Sequence, residues 1–174
     1  GTQVLASDLK YARLWSRDGE LLHAFAHKDF VHCAAFSPDG RRIATGSYDR
    51  TAAVWDVASG EQLTILKHGE QVRQMAFSPD GSQLYATDSV AGTILVYDYH
   101  ASSGRAENVR TLTTIDPSVG RPDGLAVDRE GFLWSAIVTG GCVLRIDPLG
   151  KPVSRMEVPA RRVTCVAFGG ADYS

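Results

Sequence analysis

A five-residue motif, Phe-Ser-Pro-Asp-Gly, occurs at residues 36–40 and again at 77–81, a spacing of 41 residues. Val-Asp-Arg-Glu-Gly takes the corresponding place at 127–131, and Phe-Gly-Gly follows at 168–170. A repeat of this length is typical of solenoids, propellers and arrays, in which each repeat is one supersecondary unit. Within Pro-Asp-Gly, proline fixes the first turn position and glycine accepts a positive φ. Each motif is therefore expected to be a tight turn between two strands.

The runs between these turns are short and favour β-strands. Residues 30–67 contain VHCAAF, RRIATGS, TAAVWDV and EQLTIL, separated by turn residues. Their alternation and β-branched residues, with turns about every ten residues, predict four short antiparallel strands. Similar cycles occupy 71–114 and 122–158, with three strands before the first cycle and a lone strand at 163–168 after the last. The predicted fold is an all-β propeller of four-stranded antiparallel blades, and each chain has enough strands for four blades.

The strands at the two ends are complementary parts of one blade. Unpaired strand edges promote association between chains. We therefore expect the partner of this chain to be a second copy, joined through the N- and C-terminal strands. Exchange of those strands would close an eight-bladed homodimeric ring, and a four-bladed monomer is the alternative.

Composition excludes some partners and leaves the compartment open. The chain is 44% hydrophobic and 22% charged with a net charge of −2, which is ordinary for a soluble globular protein. The lack of a basic excess argues against nucleic acid, and no apolar run approaches the roughly 18 residues of a membrane helix. The first residues lack a basic and then apolar leader, so we expect no signal peptide and cytoplasmic expression.

Residues 1–81 resemble the WD-repeat propeller family. The resemblance rests on the FSPDG turn, on ATGSYDRTAAVWD and on the Gly-Glu turns that follow two tryptophans. In that family a His, a Ser or Thr, an Asp and a Trp form a buried hydrogen-bond network that fixes the blade. The resemblance assigns this structural network to His27, Thr45, Asp49 and Trp55. The first and third units lack the Asp, so one complete network is expected.

Residues 77–174 resemble the gluconolactonase/regucalcin family, also known as the senescence marker protein type. The stretches that carry the resemblance are LYATDSVAGTILVYDY, GRPDGLAVDREGFLW, GGCVLRIDPLGKPVSRMEVP and RRVTCVAFGG. The resemblance implies a six-bladed propeller that is a metal-dependent lactone hydrolase or a calcium-binding relative. The two resemblances overlap at the FSPDG turn of 77–81, which suggests a chimera joined at that turn.

The second resemblance also implies a divalent metal held by a Glu, an Asn and an Asp on inner strands. Asp123, in Pro-Asp-Gly, matches the Asp, but Arg73 stands at the Asn position and the Glu has no counterpart. A guanidinium has no lone pair for a metal and repels a cation. We therefore expect no metal or other cofactor, with a weakly bound Ca²⁺ or other divalent cation as the alternative. Asp123 would then be a solvated channel residue or a partner for Arg73.

Together these observations favour an engineered or recombined chimeric propeller scaffold that self-assembles and is not an enzyme. Two alternatives stay open. One is a remnant of a metal-dependent, gluconolactonase-like lactonase. The other is a WD-type module that binds a protein or peptide.

Overall fold

The computed structural model describes residues 3–169, which form fifteen β-strands joined by turns. Within this range no helix has the length and apolarity needed to cross a membrane. The strands are β1 (Gln3–Asp8), β2 (Tyr11–Ser16), β3 (Leu21–Ala26), β4 (Val31–Phe36), β5 (Arg42–Ser47), β6 (Thr51–Asp56), β7 (Gln62–Lys67), β8 (Val72–Phe77), β9 (Gln83–Asp88), β10 (Thr93–His100), β11 (Arg105–Thr114), β12 (Pro122–Val127), β13 (Leu133–Ile137), β14 (Cys142–Ile146) and β15 (Pro152–Glu157).

The strands form one three-stranded and three four-stranded antiparallel sheets, each running in chain order. The first sheet is β1–β3, and the others are β4–β7, β8–β11 and β12–β15. The inner strands β4, β8 and β12 lie side by side, and β1 lies next to β4. The predicted all-β fold of four-stranded, propeller-like sheets is confirmed. The eight-bladed ring and its four-bladed alternative stay predictions.

The repeated motif forms the tight turn between the first two strands of a sheet. Gly40 and Gly81 have φ of +69° and +67°, a conformation that glycine adopts without a side-chain penalty. The Ser37 and Ser78 hydroxyls donate to the aspartates two residues later, at 2.6 and 2.5 Å. The same serine and aspartate therefore order both turns.

Apolar side chains from neighbouring sheets form the core. One cluster joins the first and second sheets around Leu14, Phe25, Ile43 and Trp55. Two more clusters join the second sheet to the third and the third to the fourth. Among residues 3–169, no such cluster joins the fourth sheet to the first. The sheets thus form an open series, with the first and fourth at its ends.

The segment 163–168 differs from the prediction, because it does not form a strand. It lies beside β12, where the Gly124 N–H donates to the Thr164 carbonyl at 3.0 Å. Val163 and Val166 pack in a small cluster with Ala136 of the fourth sheet. The segment has the place of an inner strand, but within residues 3–169 no second strand of its own sheet lies beside it to complete a ladder. This missing ladder explains the irregular backbone.

Candidate functional site

A row of polar residues crosses the inner strands at one repeat position. Each member stands four residues before the residue at which the repeated motif begins. Because β4, β8 and β12 are neighbours and equivalent positions of a repeat share a face, these side chains are brought together. The members of this inner row are His32, Arg73, Asp123 and Thr164.

Arg73 is held by aromatic and polar contacts. Its Nη1 donates to the Tyr48 hydroxyl at 2.5 Å, and its guanidinium carbon lies 4.7 Å from the centre of the Tyr48 ring. Its Nη2 donates to the Gln71 side-chain oxygen at 3.3 Å. The His32 ring stacks on Tyr48 with 5.5 Å between ring centres, and its Nδ1–H donates to the Arg73 carbonyl at 2.8 Å. These contacts place a positive charge in the inner row with a fixed orientation.

Asp123 is the buried acid of the inner row, with 8% of its surface exposed. Burial raises the pKa of its carboxyl above 3.8, although the charges of His32, Arg73 and Arg162 act in the opposite direction. The pairing of β12 with β13 is irregular between Pro122 and Leu125, so Asp123 lies outside the regular ladder. The result is a partly desolvated carboxyl that can exchange a proton and that faces several positive groups.

The backbone after Asp123 requires glycine. A Cβ on Gly124 would lie 2.6 Å from the Thr164 carbonyl oxygen and 2.7 Å from the Cys165 Cα. The absent side chain therefore allows the segment 163–168 to approach β12 closely. This approach brings the last member of the inner row next to Asp123.

The structure places Asp123 and Arg73 in one row, but they form neither an ion pair nor a hydrogen bond within the described part of the chain. Arg73 bonds Tyr48 and Gln71 instead. Sequence reasoning missed the contributions of Tyr48 and His32. The shared position four residues before the repeated motif was the signal for His32, whereas nothing local indicated Tyr48.

A divalent metal does not fit the residues that the structure describes. Hard cations in proteins take several oxygen ligands, usually six or more for calcium. Over residues 3–169 no group of three or more His, Cys, Asp or Glu side chains could hold a metal ion. The charges that act on the pKa of Asp123 are those of His32, Arg73 and Arg162, which would oppose a bound cation.

The four residues of the WD-type network lie together in the second sheet, apart from the inner row. The Trp55 Nε1–H donates to Thr45 Oγ1 at 2.8 Å, and His27 Nε2 lies 2.7 Å from the same oxygen. His27 Nδ1 lies 3.3 Å from the Asp49 carboxylate. Desolvation lowers the pKa of His27 below 6.5, although Asp49 acts to raise it. The arrangement is a buried chain of hydrogen bonds that links β5, β6, the turn between them and the loop before β4, with a structural rather than a catalytic geometry.

Comparison with known proteins places this fold in a family. The model of the SMP-30/Gluconolactonase/LRE-like region matches residues 35–174. The chain belongs to this family. The family match also crosses the FSPDG turn at 77–81, so residues on both sides of that turn lie within one family region.

Similar curated proteins include regucalcin from Danio rerio, which is 44% identical over 91 residues, or 52% of this chain and 31% of regucalcin. The putative sugar lactone lactonase YvrE of Bacillus subtilis (strain 168) is 40% identical over 90 residues, or 51% of this chain and 31% of YvrE. The matched part thus spans about a third of these relatives' length. A solved luciferin-regenerating enzyme superposes with a TM-score of 0.75 at 23% identity, over 97% of this chain and 63% of that enzyme, which shows the shared fold.

These findings correct three predictions. They give no evidence for a WD-repeat chimera or for an engineered protein. The prediction of a scaffold that is not an enzyme is wrong, because the family and its relatives are of the lactonase type. The error came from inferring the absence of catalysis from the absence of a metal site. The division into 1–81 and 77–174 stays a prediction.

Proposed function

We propose that this chain is a lactonase-type hydrolase unit that opens a small cyclic ester of a sugar acid at the inner row. Membership of the family and the 40% identity to a putative sugar lactone lactonase support the reaction class. The observation that carries the proposal is Asp123, a buried carboxyl with a raised pKa in one row with the Arg73 guanidinium. A general base and a fixed positive charge are two groups that can catalyse ester hydrolysis.

Asp123 acts as the general base in this proposal. Its carboxylate removes a proton from a water molecule while the water oxygen bonds to the lactone carbonyl carbon. The carbonyl electron pair moves onto the carbonyl oxygen and gives a tetrahedral oxyanion. When this intermediate collapses, the bond from the carbonyl carbon to the ring oxygen breaks, and the departing oxygen takes the proton from Asp123. The product is the open hydroxy acid.

Arg73 stabilises the oxyanion in this proposal. Guanidinium groups remain protonated at all ordinary pH values, so the positive charge is present throughout the reaction. The hydrogen bonds to Tyr48 and Gln71 fix the group before substrate binds, which reduces the reorganisation needed in the transition state. The Arg73 Nε is buried and has no hydrogen-bond partner in the described part of the chain.

The proposal is tested by following acid release from glucono-1,5-lactone with a pH indicator. The Asp123→Asn variant is expected to lose at least about 100-fold in kcat/KM, because a general base typically contributes that much or more. Arg73→Met is expected to lower kcat more than it raises KM, since oxyanion stabilisation acts only in the transition state. Asp18→Asn changes an exposed turn carboxylate and serves as the control with unchanged activity.

Two outcomes would contradict the proposal. The first is a rate no faster than that of buffer alone, or a rate equal in the Asp123→Asn variant and the native protein. The second concerns the metal: activity that is lost in chelator and restored by Ca²⁺ or Zn²⁺ would overturn the metal-free mechanism. Activity that persists in chelator supports it.

A further inference from the structure

Two members of the inner row, His32 and Arg73, lie against the ring of Tyr48. The His32 and Tyr48 rings are 5.5 Å apart between centres with 14° between their planes, and the Arg73 guanidinium carbon lies 4.7 Å from the centre of the Tyr48 ring. These three groups are called the stacked layer below. The Tyr48 N–H donates to the Phe30 carbonyl at 2.9 Å, which fixes the backbone of the tyrosine. The layer joins β4, β8 and the turn after β5, so its parts are in place before any ligand binds.

Arg73 differs from the other arginines of similar burial. Four arginines of the described chain are half-buried, and three of them form an ion pair with an aspartate. The three pairs are Arg13–Asp8, Arg42–Asp56 and Arg145–Asp128. Within residues 3–169 Arg73 forms no such pair, and its partners Tyr48 and Gln71 are neutral. A partly desolvated charge without a counter-ion is costly, so an anion that binds at Arg73 would recover part of this cost.

The polar groups that the layer leaves without partners are hydrogen-bond donors. A guanidinium carries five N–H groups. Arg73 uses one on Nη1 and one on Nη2, and its Nε is buried, so one N–H on each terminal nitrogen has no partner in the described part of the chain. The Tyr48 hydroxyl accepts from Arg73, and its own proton makes no hydrogen bond within residues 3–169. A carboxylate only accepts, and its two oxygens match two N–H groups of one guanidinium.

We propose that the stacked layer binds the carboxylate of a small hydroxy acid. The two oxygens accept from the terminal nitrogens of Arg73, and the Tyr48 hydroxyl donates a further hydrogen bond to one of them. The site follows from the contacts of Arg73, whereas the choice of a hydroxy acid rests on the proposed function. In that reaction the lactone carbonyl carbon becomes a carboxylate beside Arg73. The open product therefore binds where the oxyanion forms, competes with the next substrate molecule and inhibits the enzyme.

Substitutions in the layer separate its charge from its geometry. Arg73→Met removes both and is expected to weaken carboxylate binding at least about 30-fold. Arg73→Lys keeps the charge without the two-pronged geometry, so a smaller loss is expected. Tyr48→Phe keeps the ring that lies against His32 and Arg73 but removes the hydroxyl, and a loss of about 10-fold is expected. Arg129→Met is the matched control, because it removes the charge of an exposed arginine in the turn between β12 and β13.

The experiment is calorimetric titration of the native protein and the variants with sodium gluconate. Glucitol is the ligand control, because it is a polyol of the same length without the carboxylate, and sodium chloride controls for ionic strength. We expect saturable binding of gluconate alone, weakened in the three layer variants and unchanged in Arg129→Met. In the lactone assay gluconate is expected to raise the apparent KM without changing kcat.

Three results would overturn the inference: no saturable gluconate binding to the native protein, equal binding of glucitol, or gluconate binding that an equal concentration of chloride removes. Native affinity in every layer variant that folds, as judged by urea denaturation, would also overturn it. The binding arm separates this inference from the proposed function. Gluconate binding without hydrolysis of glucono-1,5-lactone would overturn the proposed function and support the carboxylate site. Hydrolysis without gluconate binding would overturn the carboxylate site alone.

Discussion

The second and third sheets carry a histidine at the same repeat position but surround it differently. In the second sheet His27 reaches Trp55 through the Thr45 hydroxyl, and it also reaches Asp49. In the third sheet the Tyr97 hydroxyl bonds His68 Nε2 directly at 3.2 Å. The two sheets have the same strand order, so the longer network is not required for the topology. Its contribution is to stability.

In the third sheet the hydrogen-bonded group around His68 has fewer members, because two polar residues of the second sheet are replaced. Ala86 occupies the position of Thr45, opposite the equivalent residue of the inner strand, and Ala91 stands at the Asp49 position. A tyrosine hydroxyl extends beyond its ring and takes the place of the threonine oxygen. In the fourth sheet Ser135 occupies the Thr45 position, and its hydroxyl has no hydrogen-bond partner in the described part of the chain.

The largest effect is expected from removing the hydroxyl at the centre of the second sheet. Thr45→Val keeps the shape of the side chain but leaves the Trp55 N–H and the His27 ring nitrogen without partners. Leaving buried polar groups unpaired costs about 1–3 kcal/mol each, so we expect a loss of about 2–4 kcal/mol in the free energy of unfolding. Urea denaturation followed by tryptophan fluorescence measures this loss.

Ser135→Ala is the matched control for that substitution. It removes a buried hydroxyl at the same repeat position, but one that makes no hydrogen bond. We expect a change within about 1 kcal/mol of zero, because no partner is left unsatisfied. Equal losses in the two variants would show that the side-chain hydrogen bonds of the second sheet add nothing to the free energy of unfolding. The difference between the sheets would then have no effect on stability.

Much of the fold could be predicted from the sequence because its determinants are local. Proline and glycine specify the turns at 36–40 and 77–81, and alternation specifies the strands. The group around His27 could be found only through the resemblance of residues 1–81 to the WD-repeat family. The loss of strand structure at 163–168 could not be predicted, since a strand requires a partner edge and not only a suitable sequence.

The candidate site was only partly predictable for a similar reason. Asp123 and Arg73 could be assigned from their places in the repeat, but their partners depend on packing. Arg73 bonds Tyr48, which follows a different strand, and no pattern in the sequence links the two residues. The raised pKa of Asp123 arises chiefly from burial, which becomes visible only when the inner strands and the segment 163–168 are placed together.

A smaller effect is expected from pH, and it involves both histidines. Burial lowers the pKa of His27 and of His68 below 6.5 in the folded chain, although Asp49 and Asp88 respectively act to raise them. Well above pH 6.5 both histidines are neutral in the folded and the unfolded chain, and they do not reduce the free energy of unfolding. As the pH falls below 6.5 the unfolded chain binds protons first, so stability decreases until the folded-state pKa values are reached. Urea denaturation at pH 7.0, 6.0 and 5.0 measures this decrease.

Replacing each histidine separates the two sheets in this experiment. His27→Gln and His68→Gln are each expected to reduce the dependence of the free energy of unfolding on pH between 7 and 5. Each variant removes a group that takes up about one proton on unfolding in this range. Asp49 does not interfere in this range. Burial acts to raise its pKa, but hydrogen bonds from Thr51 and Lys28 hold it below 3.8, so its contribution is lost only at lower pH. An unchanged pH dependence in both variants would show that neither histidine is held neutral by the fold.

The smallest effect is expected from the direct pair of the third sheet. Burial raises the pKa of Tyr97 to about 12, so its hydroxyl keeps the proton that it shares with His68. Tyr97→Phe removes one hydrogen bond and is expected to cost about 1 kcal/mol in the free energy of unfolding. Tyr99→Phe is its control, because the buried Tyr99 hydroxyl has no partner in the described part of the chain. A loss for Tyr97→Phe as large as that for Thr45→Val would mean that the direct pair stabilises its sheet as much as the longer network does.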